Sequence, residues 1–587
     1  MEFQKGMDLS FIPELEDAGV QVKDFDGTIM DPLDLVQKYG VNSVRLRIWN
    51  APEHVRESGG YCSYAHTLAM AKRIRAHGMS FMLDFHYSDF WADPGQQRKP
   101  KDWENLSFKE LKEAVFSYTR DTLTALKEED VLPDIVQIGN EIRSGLLFPD
   151  GELPDYTKMV QLVNAGIRGA RAAAGKDEMQ VMIHLDQGGR YFYLKEWFDG
   201  SFAAGLEDFD LIGLSYYPFW HGTFTDLKET MTKLIWDYKK PIMVVETAHA
   251  WRKSVHGFID EQQEKIAGFP ATPVGQKQVL DLVANVVASM PDEMGQGLYY
   301  WEPICVPKDG EGGWSENMGL LDEKGTVLDG VLSFLFTRND ACPEKPAKIY
   351  EPEPMTVVKD EVCTLPEMLP VLLYDGTVEQ RRVSWNEVPD TRVTGEYDVT
   401  GNVEGVPFAA HAKICVVEEL PEAENLLLDV GWEDGLARWN VEKSEDAVAV
   451  QLFPEFVDPF ASTLSFSEIS VPGSAGECGT RRSTKKLYVF DLPDGKGTGG
   501  RNVYIICCLS GNRYNECGCA AVPRYGRGKR RDCDSSDRTC MDRLQSDMRN
   551  QKTAGSHCRN PNFIAADVRH DAEFLSADSK KRGTIRR

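Results

Sequence analysis

Two short stretches of this chain reach a glutamate where a buried strand stops. Asp134–Gly139, DIVQIG, has the pattern of a short buried strand and runs into Asn140-Glu141. Pro241–Glu246, PIMVVE, does the same and is followed by Thr247-Ala248-His249. A carboxylate at the end of a buried strand is costly to desolvate unless it has a partner or a task. One such Glu reads equally well as a cap or a strand-end ion pair. Two of them suit a particular reaction. Cleaving a glycosidic bond needs a carboxylic acid to protonate the leaving oxygen and a carboxylate on the opposite face of the sugar ring. Glu141 and Glu246 are the candidates for that pair. Asn140, beside the first, is placed to bind a sugar 2-hydroxyl. An Arg at position 45 or 47 would hold a nucleophilic carboxylate ionised, because a cation at contact distance lowers a carboxylate pKa. Tyr217 is expected to donate a hydrogen bond to the same group.

Sugars stack their C–H faces on aromatic rings while polar side chains hold the hydroxyls. Loop aromatics are plentiful: Trp49, Trp91, Trp103, Phe219, Trp220, Trp251, Trp301 and Trp314. Trp91 and Trp220 fall on long loops and are expected to touch substrate. Trp301 is the expected floor of the cleavage site. A metal-dependent hydrolase is the rival. His86, His184 and His249, with Asp84 and Asp186, are zinc-ligand types. No H-x-H or H-E-x-x-H motif joins them, and polar residues lining a sugar cleft account for them equally. His86, Asp186 and His249 are therefore read as substrate contacts, and no catalytic metal is expected.

The elements that must position these groups alternate regularly. Apolar runs of strand length occur near residues 3–7 and at 44–48, 81–85, 135–138, 181–185, 211–216, 242–245 and 298–301. Amphipathic segments separate them, at 32–39, 66–77, 108–128, 156–174, 194–204, 225–238, 274–290 and 328–336. Eight such pairs in about 340 residues predict a (β/α)8 TIM barrel. A doubly wound open sheet is disfavoured, since no G-x-G-x-x-G follows the first strand. Barrel active sites sit at the C-terminal strand ends. In this chain those ends carry Asp8, Arg45 and Arg47, Asp84 and His86, Asn140 and Glu141, His184 and Asp186, Tyr216 and Tyr217, Glu246 and His249, and Trp301 with Glu302.

With 587 residues the chain exceeds one domain. Its net charge of −26 repels nucleic acid and anionic membranes and favours a neutral substrate. No nucleic-acid or membrane partner is expected, and the chain is expected to act as a monomer. It contains no run of about 20 apolar residues, and MEFQKGMDLS has no apolar signal core. As written it reads as cytoplasmic, whereas a polymeric substrate would call for export. Five widely spaced cysteines before Gly473 (Cys62, Cys305, Cys342, Cys363 and Cys415) suit free thiols.

A family resemblance follows from these motifs. GMDLSFIPELE, SVRLRIW, MLDFHYSDFWADPGQQ, VQIGNEIRSGLL, VMIHLDQGG, LSYYPFWHGT, VVETAHAW and LYYWEP occur in the order found in the arabinogalactan endo-β-1,4-galactanases. The stretch they span, about residues 3–340, resembles glycoside hydrolase family 53. The resemblance implies a retaining mechanism with Glu141 as acid/base and Glu246 as nucleophile. It implies internal cleavage of β-1,4-linked galactan, the side chain of pectin. The alternatives are another retaining β-glycanase such as a mannanase, or a non-catalytic carbohydrate-binding barrel. Some bacterial relatives bind calcium in an Asp/Gly-rich loop after strand seven. That region of this chain reads WRKSVHGFID, Trp251–Asp260, without the acidic cluster, and no cofactor is expected.

The barrel is expected to fill 1–340, with a linker over 341–348. Residues 349–420 change to short alternating runs, at 355–358, 371–374, 382–385, 395–399 and 412–417, and predict a small all-β domain. LPVLLYDGTVEQRRVSWNEV resembles a bacterial immunoglobulin-like domain. Leu426–Val441, LLLDVGWEDGLARWNV, resembles the opening strand of a galactose-binding-like jelly-roll module, and 421–472 is expected to be such a carbohydrate-binding module cut short, since all 12 Trp lie at or before Trp439. From Gly473 to 587 the chain turns basic, with 23 Lys and Arg against 13 Asp and Glu, and holds the other eight of its 13 cysteines. Basic residues with cysteines could mark a zinc or nucleic-acid module, but no C-x2-C pair occurs. This tail reads as a shifted reading frame or a disordered segment.

Overall fold

The computed structural model describes residues 2–254, 258–259, 261–305 and 313–419, and beyond them only short strands. Eight parallel strands close into a barrel: β1 (Gln4–Asp8), β2 (Ser43–Ile48), β3 (Ser80–Phe85), β4 (Ile135–Ile138), β5 (Gln180–Leu185), β6 (Leu211–Ser215), β7 (Ile242–Thr247) and β8 (Gly295–Tyr300). Each pairs with its neighbours in chain order, and β1 closes the ring on β8. The outer layer is α1 (Pro32–Lys38), α2 (Tyr64–Ala76), α3 (Phe108–Glu128), α4 (Tyr156–Ala173), α5 (Tyr191–Ala203), α6 (Phe224–Tyr238) and α7 (Pro273–Ala288). At the eighth position the chain forms a 3-10 helix, Asp329–Leu335, in place of the expected amphipathic helix.

Local chemistry sets the helix starts. Ser107 and Glu110 form a reciprocal capping box on α3, as do Thr223 and Asp226 on α6. Pro32 and Pro273 occupy first turns behind the caps Asp31 and Thr272. Leu111, Val115, Leu123 and Leu126 recur on one face of α3 and are buried there.

The inside of the barrel is filled. Met82, Ile135, Met182, Leu211, Met243, Val245 and Tyr299 pack together there, and the Tyr299 hydroxyl lies 2.7 Å from Ser43 Oγ. Gly6 on β1 faces the Tyr299 ring so closely that a Cβ would overlap it. Gly6→Ala is therefore expected to destabilise the protein by about 1–3 kcal/mol, read as a lower denaturant midpoint with an unchanged slope.

The small β domain joins β9 (Pro346–Ile349), β10 (Met355–Val358), β11 (Met368–Leu373), β12 (Val378–Trp385), β13 (Gly395–Val403) and β14 (Ala409–Val417) in the order β9-β11-β12-β13-β14-β10. β9 corrects the expected linker. Residues 346–348 pair with β11, which meets the hydrogen-bonding needs of backbone that loop composition had suggested was free. The barrel and this domain belong to one compact unit, Met1–Glu418. Lys228 on α6 pairs with Asp375, and Thr225 Oγ1 donates to Gly376 O at 2.7 Å.

A second unit spans Glu419–Arg587. Its described part includes an antiparallel sheet of Lys485–Pro493, Arg501–Leu509 and Cys519–Pro523. The expectations of a truncated module over 421–472 and of a frame-shifted tail lie otherwise outside the described residues. No described helix is long and apolar enough to cross a membrane.

Candidate active site

Arg45, on β2 and 1% exposed, is the hub of the C-terminal barrel mouth. Its Nη2 lies 3.0 Å from Glu246 Oε1 and donates to Asp84 Oδ2 at 2.8 Å and Asn140 Oδ1 at 2.9 Å. Nη1 donates to Asp8 Oδ2 at 3.1 Å, and Nε to Gln137 Oε1 at 2.9 Å. Five side chains from four other strands thus converge on one guanidinium, whose planar fork can serve several acceptors at fixed angles. Arg47, two residues on, pairs with Glu302 after β8. Its guanidinium carbon lies 4.2 Å from the ring centres of both Phe11 and Trp91.

Glu246 ends the apolar run of β7 and is 5% exposed. The Tyr217 hydroxyl donates to its Oε2 at 3.1 Å. Burial raises the Glu246 carboxyl above the usual range, with Asp84 and Asp8 adding to the rise. Arg45 and the Tyr217 hydrogen bond oppose it.

Glu141 follows β4 in a left-handed backbone conformation, φ 48° and ψ 51°, which costs a non-glycine residue about 1–3 kcal/mol. The preceding Gly139, at φ 83°, turns the chain without that penalty. Glu141 is partly exposed to the cleft. Among the described residues no cation pairs with it. Burial lifts its carboxyl well above the usual range, and the charges of Glu246 and Asp186 lift it further. The two carboxyls therefore separate in character: the cation and phenol beside Glu246 favour its ionised form, while burial and the acids around Glu141 favour its protonated form.

One oxygen of each carboxyl and a ring nitrogen of His184 all lie within 4.8 Å of one another. Retaining sites place their carboxyl groups about 5–5.5 Å apart, and inverting sites about 6.5–9.5 Å apart with a water between. The short separation in this cleft suits direct attack by one carboxylate.

Asn140, 6% exposed, is tied down on both sides. Its Oδ1 accepts from Arg45, and its Nδ2 donates to Ala92 O at 2.8 Å. Gln97 Nε2 donates to Asn140 O at 2.8 Å. The long loop after β3 is thereby fastened to the end of β4. An aromatic arc borders the cluster. Ring centroids run from Trp91 to Trp301 at 5.8 Å, Trp301 to Trp314 at 4.4 Å, Trp314 to Tyr217 at 5.8 Å, and Tyr217 to Trp220 at 5.5 Å. Trp220 is 40% exposed.

The structure brings together Glu141, Glu246, Arg45, Asn140 and Tyr217, with Trp91, Trp220 and Trp301 on the rim. Three expected substrate contacts are placed otherwise. His249 is fully buried, and its Nε2 lies 3.2 and 3.3 Å from the Phe269 and Pro270 carbonyls. It ties the Phe269-Pro270 loop to the end of β7. His86 accepts from Ala92 N at Nδ1, so its other nitrogen, 3.1 Å from Asp84 Oδ2, carries the proton and braces that carboxylate. Asp186 is held by Arg143 Nε at 2.9 and 3.1 Å. It acts on Glu141 through charge.

Two neighbours of Glu141 have contacts that the sequence does not assign. Ser215 Oγ is 2.6 Å from Glu141 Oε1 and 2.9 Å from His184 Nε2. A serine ending a strand carries no sequence signal, and the residue type of His184 fits a metal ligand or a polar cleft residue equally. In the described part of the loop after β7, Arg252 pairs with Glu323 and Lys253 with Glu264.

Known proteins share this architecture. Residues 4–334 match Glycosyl hydrolase family 53, and residues 351–406 match the bacterial Ig-like domain, group 4. An uncharacterized protein of Niallia circulans is 42% identical over 345 residues, covering 56% of this chain and 92% of that protein. Arabinogalactan endo-beta-1,4-galactanase A of Aspergillus niger is 35% identical over 338 residues, covering 56% and 93%. The solved GH53 catalytic domain of Ignisphaera aggregans superposes with a TM-score of 0.53 at 35% identity, covering 57% of this chain and 95% of that one.

Proposed function

Because the chain belongs to glycosyl hydrolase family 53, we propose that it cleaves β-1,4-galactosidic bonds within galactan, with Glu141 as acid/base and Glu246 as nucleophile. The observation that carries the reading is the unequal pair of carboxyls across one cleft. Glu246 has a cation and a phenol to stabilise its charge. Glu141 has neither, and faces other acids.

In the first step Glu246 attacks the anomeric carbon while Glu141 passes its proton to the leaving oxygen. A glycosyl ester forms on Glu246 as the glycosidic bond breaks. In the second step water attacks the same carbon. Glu141, now a carboxylate, takes the water's proton, and the ester opens with net retention. Asn140 has an amide hydrogen beyond the one given to Ala92 O, and we assign it to the sugar 2-hydroxyl. The arc of Trp91, Trp301 and Trp220 supplies stacking faces. Catalysis needs Glu246 ionised and Glu141 protonated, so activity rises on one limb and falls on the other as pH increases.

The test is a substrate panel. Reducing ends are expected from β-1,4-galactan, with internal chain scission visible as an early fall in polymer size. Faster release from mannan would move the chain to another β-glycanase specificity. Release from no glycan would leave a carbohydrate-binding barrel.

A further inference from the structure

The hydrogen bonds around Glu141 admit one direction only. Arginine donates and never accepts. The Arg45 Nη2 bond at 2.9 Å, with the Asn140 Nδ2 bond to Ala92 O at 2.8 Å, therefore fixes the Asn140 amide with its oxygen toward His184. That oxygen can only accept. His184 Nδ1, 3.0 Å away, must then carry the ring proton. The Glu141 backbone N–H also points at this nitrogen, from 3.4 Å, and is outweighed by the shorter 3.0 Å contact to an oxygen that cannot donate. His184 is fully buried beside Arg45 and His86, which hold its pKa well below the usual histidine value. It is neutral, so Nε2 bears a lone pair. The Ser215 hydroxyl, 2.9 Å from Nε2, has one hydrogen and gives it there. With that hydrogen committed to His184, the Glu141 carboxyl 2.6 Å away bonds to Ser215 Oγ as the donor while it is protonated; once ionised it accepts from Ser215, the direction in which this contact lowers its pKa.

We propose that Ser215 and His184 are positioning residues that hold the catalytic proton on Glu141, through the chain Glu141 Oε1–H to Ser215 Oγ–H to His184 Nε2, anchored by His184 Nδ1–H to Asn140 Oδ1. Hydrogen bonding to the neutral form of an acid disfavours its ionised form. When Glu141 gives its proton to the leaving oxygen, the Ser215 hydroxyl turns and donates to the new carboxylate. When water returns a proton to Glu141, the hydroxyl turns back to His184.

Other charged groups near Glu141 have identified roles. Glu246 on β7, Asp186 after β5 and Asp93 in the β3 loop act on it as acids. The nearest cations are engaged elsewhere, Arg45 with Asp8, Asp84 and Glu246, and Arg143 with Asp186. Tyr217 is bonded to Glu246. Among the described residues, Ser215 is the direct side-chain partner of the Glu141 carboxyl, and removing it isolates the effect.

The proposal rests on Glu141 as the acid, and two measurements keep it separate from that reading. In the unmodified full chain, nitrogen NMR of His184 is expected to find Nδ1 protonated and Nε2 bare. The opposite tautomer overturns the chain whatever the substrate is. In Ser215→Ala, the alkaline limb of kcat/KM is expected to move down by about half to one pH unit, with the acid limb in place. Ser215→Thr, which restores the hydroxyl, is expected to return it. An alkaline limb that stays or moves up means that Ser215 donates to a carboxylate, and the proposal fails.

Discussion

Glu246→Ala is expected to lower kcat/KM on galactan by roughly 10⁴-fold or more, and azide is expected to restore turnover. The alanine leaves a gap on the face of the sugar from which Glu246 attacks. Azide filling that gap displaces the leaving group once, so the expected product is the α-galactosyl azide. Glu141→Ala differs. There the glycosyl ester on Glu246 still forms from a substrate whose leaving group needs no proton. Azide then opens that ester by a second displacement, and the product is the β-azide. A β-azide from the Glu246 variant, or an α-azide from the Glu141 variant, would exchange the two roles. The unequal surroundings of the pair argue for Glu246 as the nucleophile, since only Glu246 touches Arg45 and Tyr217.

Arg45→Met is expected to destabilise the protein by about 3–5 kcal/mol, because it strands buried carboxylates that share one cation. Asp8 and Asp84 lie within 3.1 and 2.8 Å of that guanidinium, and both are essentially inaccessible to solvent. The pH dependence has a definite sign. Arg45 opposes the rise that burial imposes on Glu246, so its loss lifts Glu246 further. Between the unfolded carboxylate value and the native one, the native state then holds a proton that the unfolded chain has released, and stability falls as pH rises. The deficit of the variant should be larger at pH 8 than at pH 5, and its acid limb of activity should move to higher pH. Arg45→Lys retains charge but not the fork that serves side chains from four strands, and should fall between the two. Equal melting of Arg45→Met and the unmodified protein at both pH values would remove Arg45 from its central place.

The barrel is legible in the sequence because both of its periods are written locally. Strand-length apolar runs such as Val44–Ile48 and Phe81–Phe85, separated by capped helices such as that starting at Ser107, need no long-range information to be read. The eighth helix and the linker depart from expectation for one reason. Near residues 329–349 the chain is short of strong local propensity, and its form is decided by what it packs against and pairs with: the barrel for the 3-10 turn, β11 for Pro346–Ile349.

The site divides in the same way. Charged and aromatic side chains at strand ends announce themselves, since burying a carboxylate or leaving a Trp on a loop demands a reason. So the sequence alone was enough to single out Glu141, Glu246, Arg45, Asn140, Tyr217 and the tryptophans. It had no means of separating His249, which ties down a loop, from a cleft histidine, because both sit just past a strand. Nor did it point to Ser215, a common residue whose importance comes from lying 2.6 Å from one acid and 2.9 Å from one imidazole. Residue type limits which chemistry a chain can perform. Distance and hydrogen-bond direction, which arise only when strands far apart in sequence close into one ring, decide which carboxyl keeps the proton.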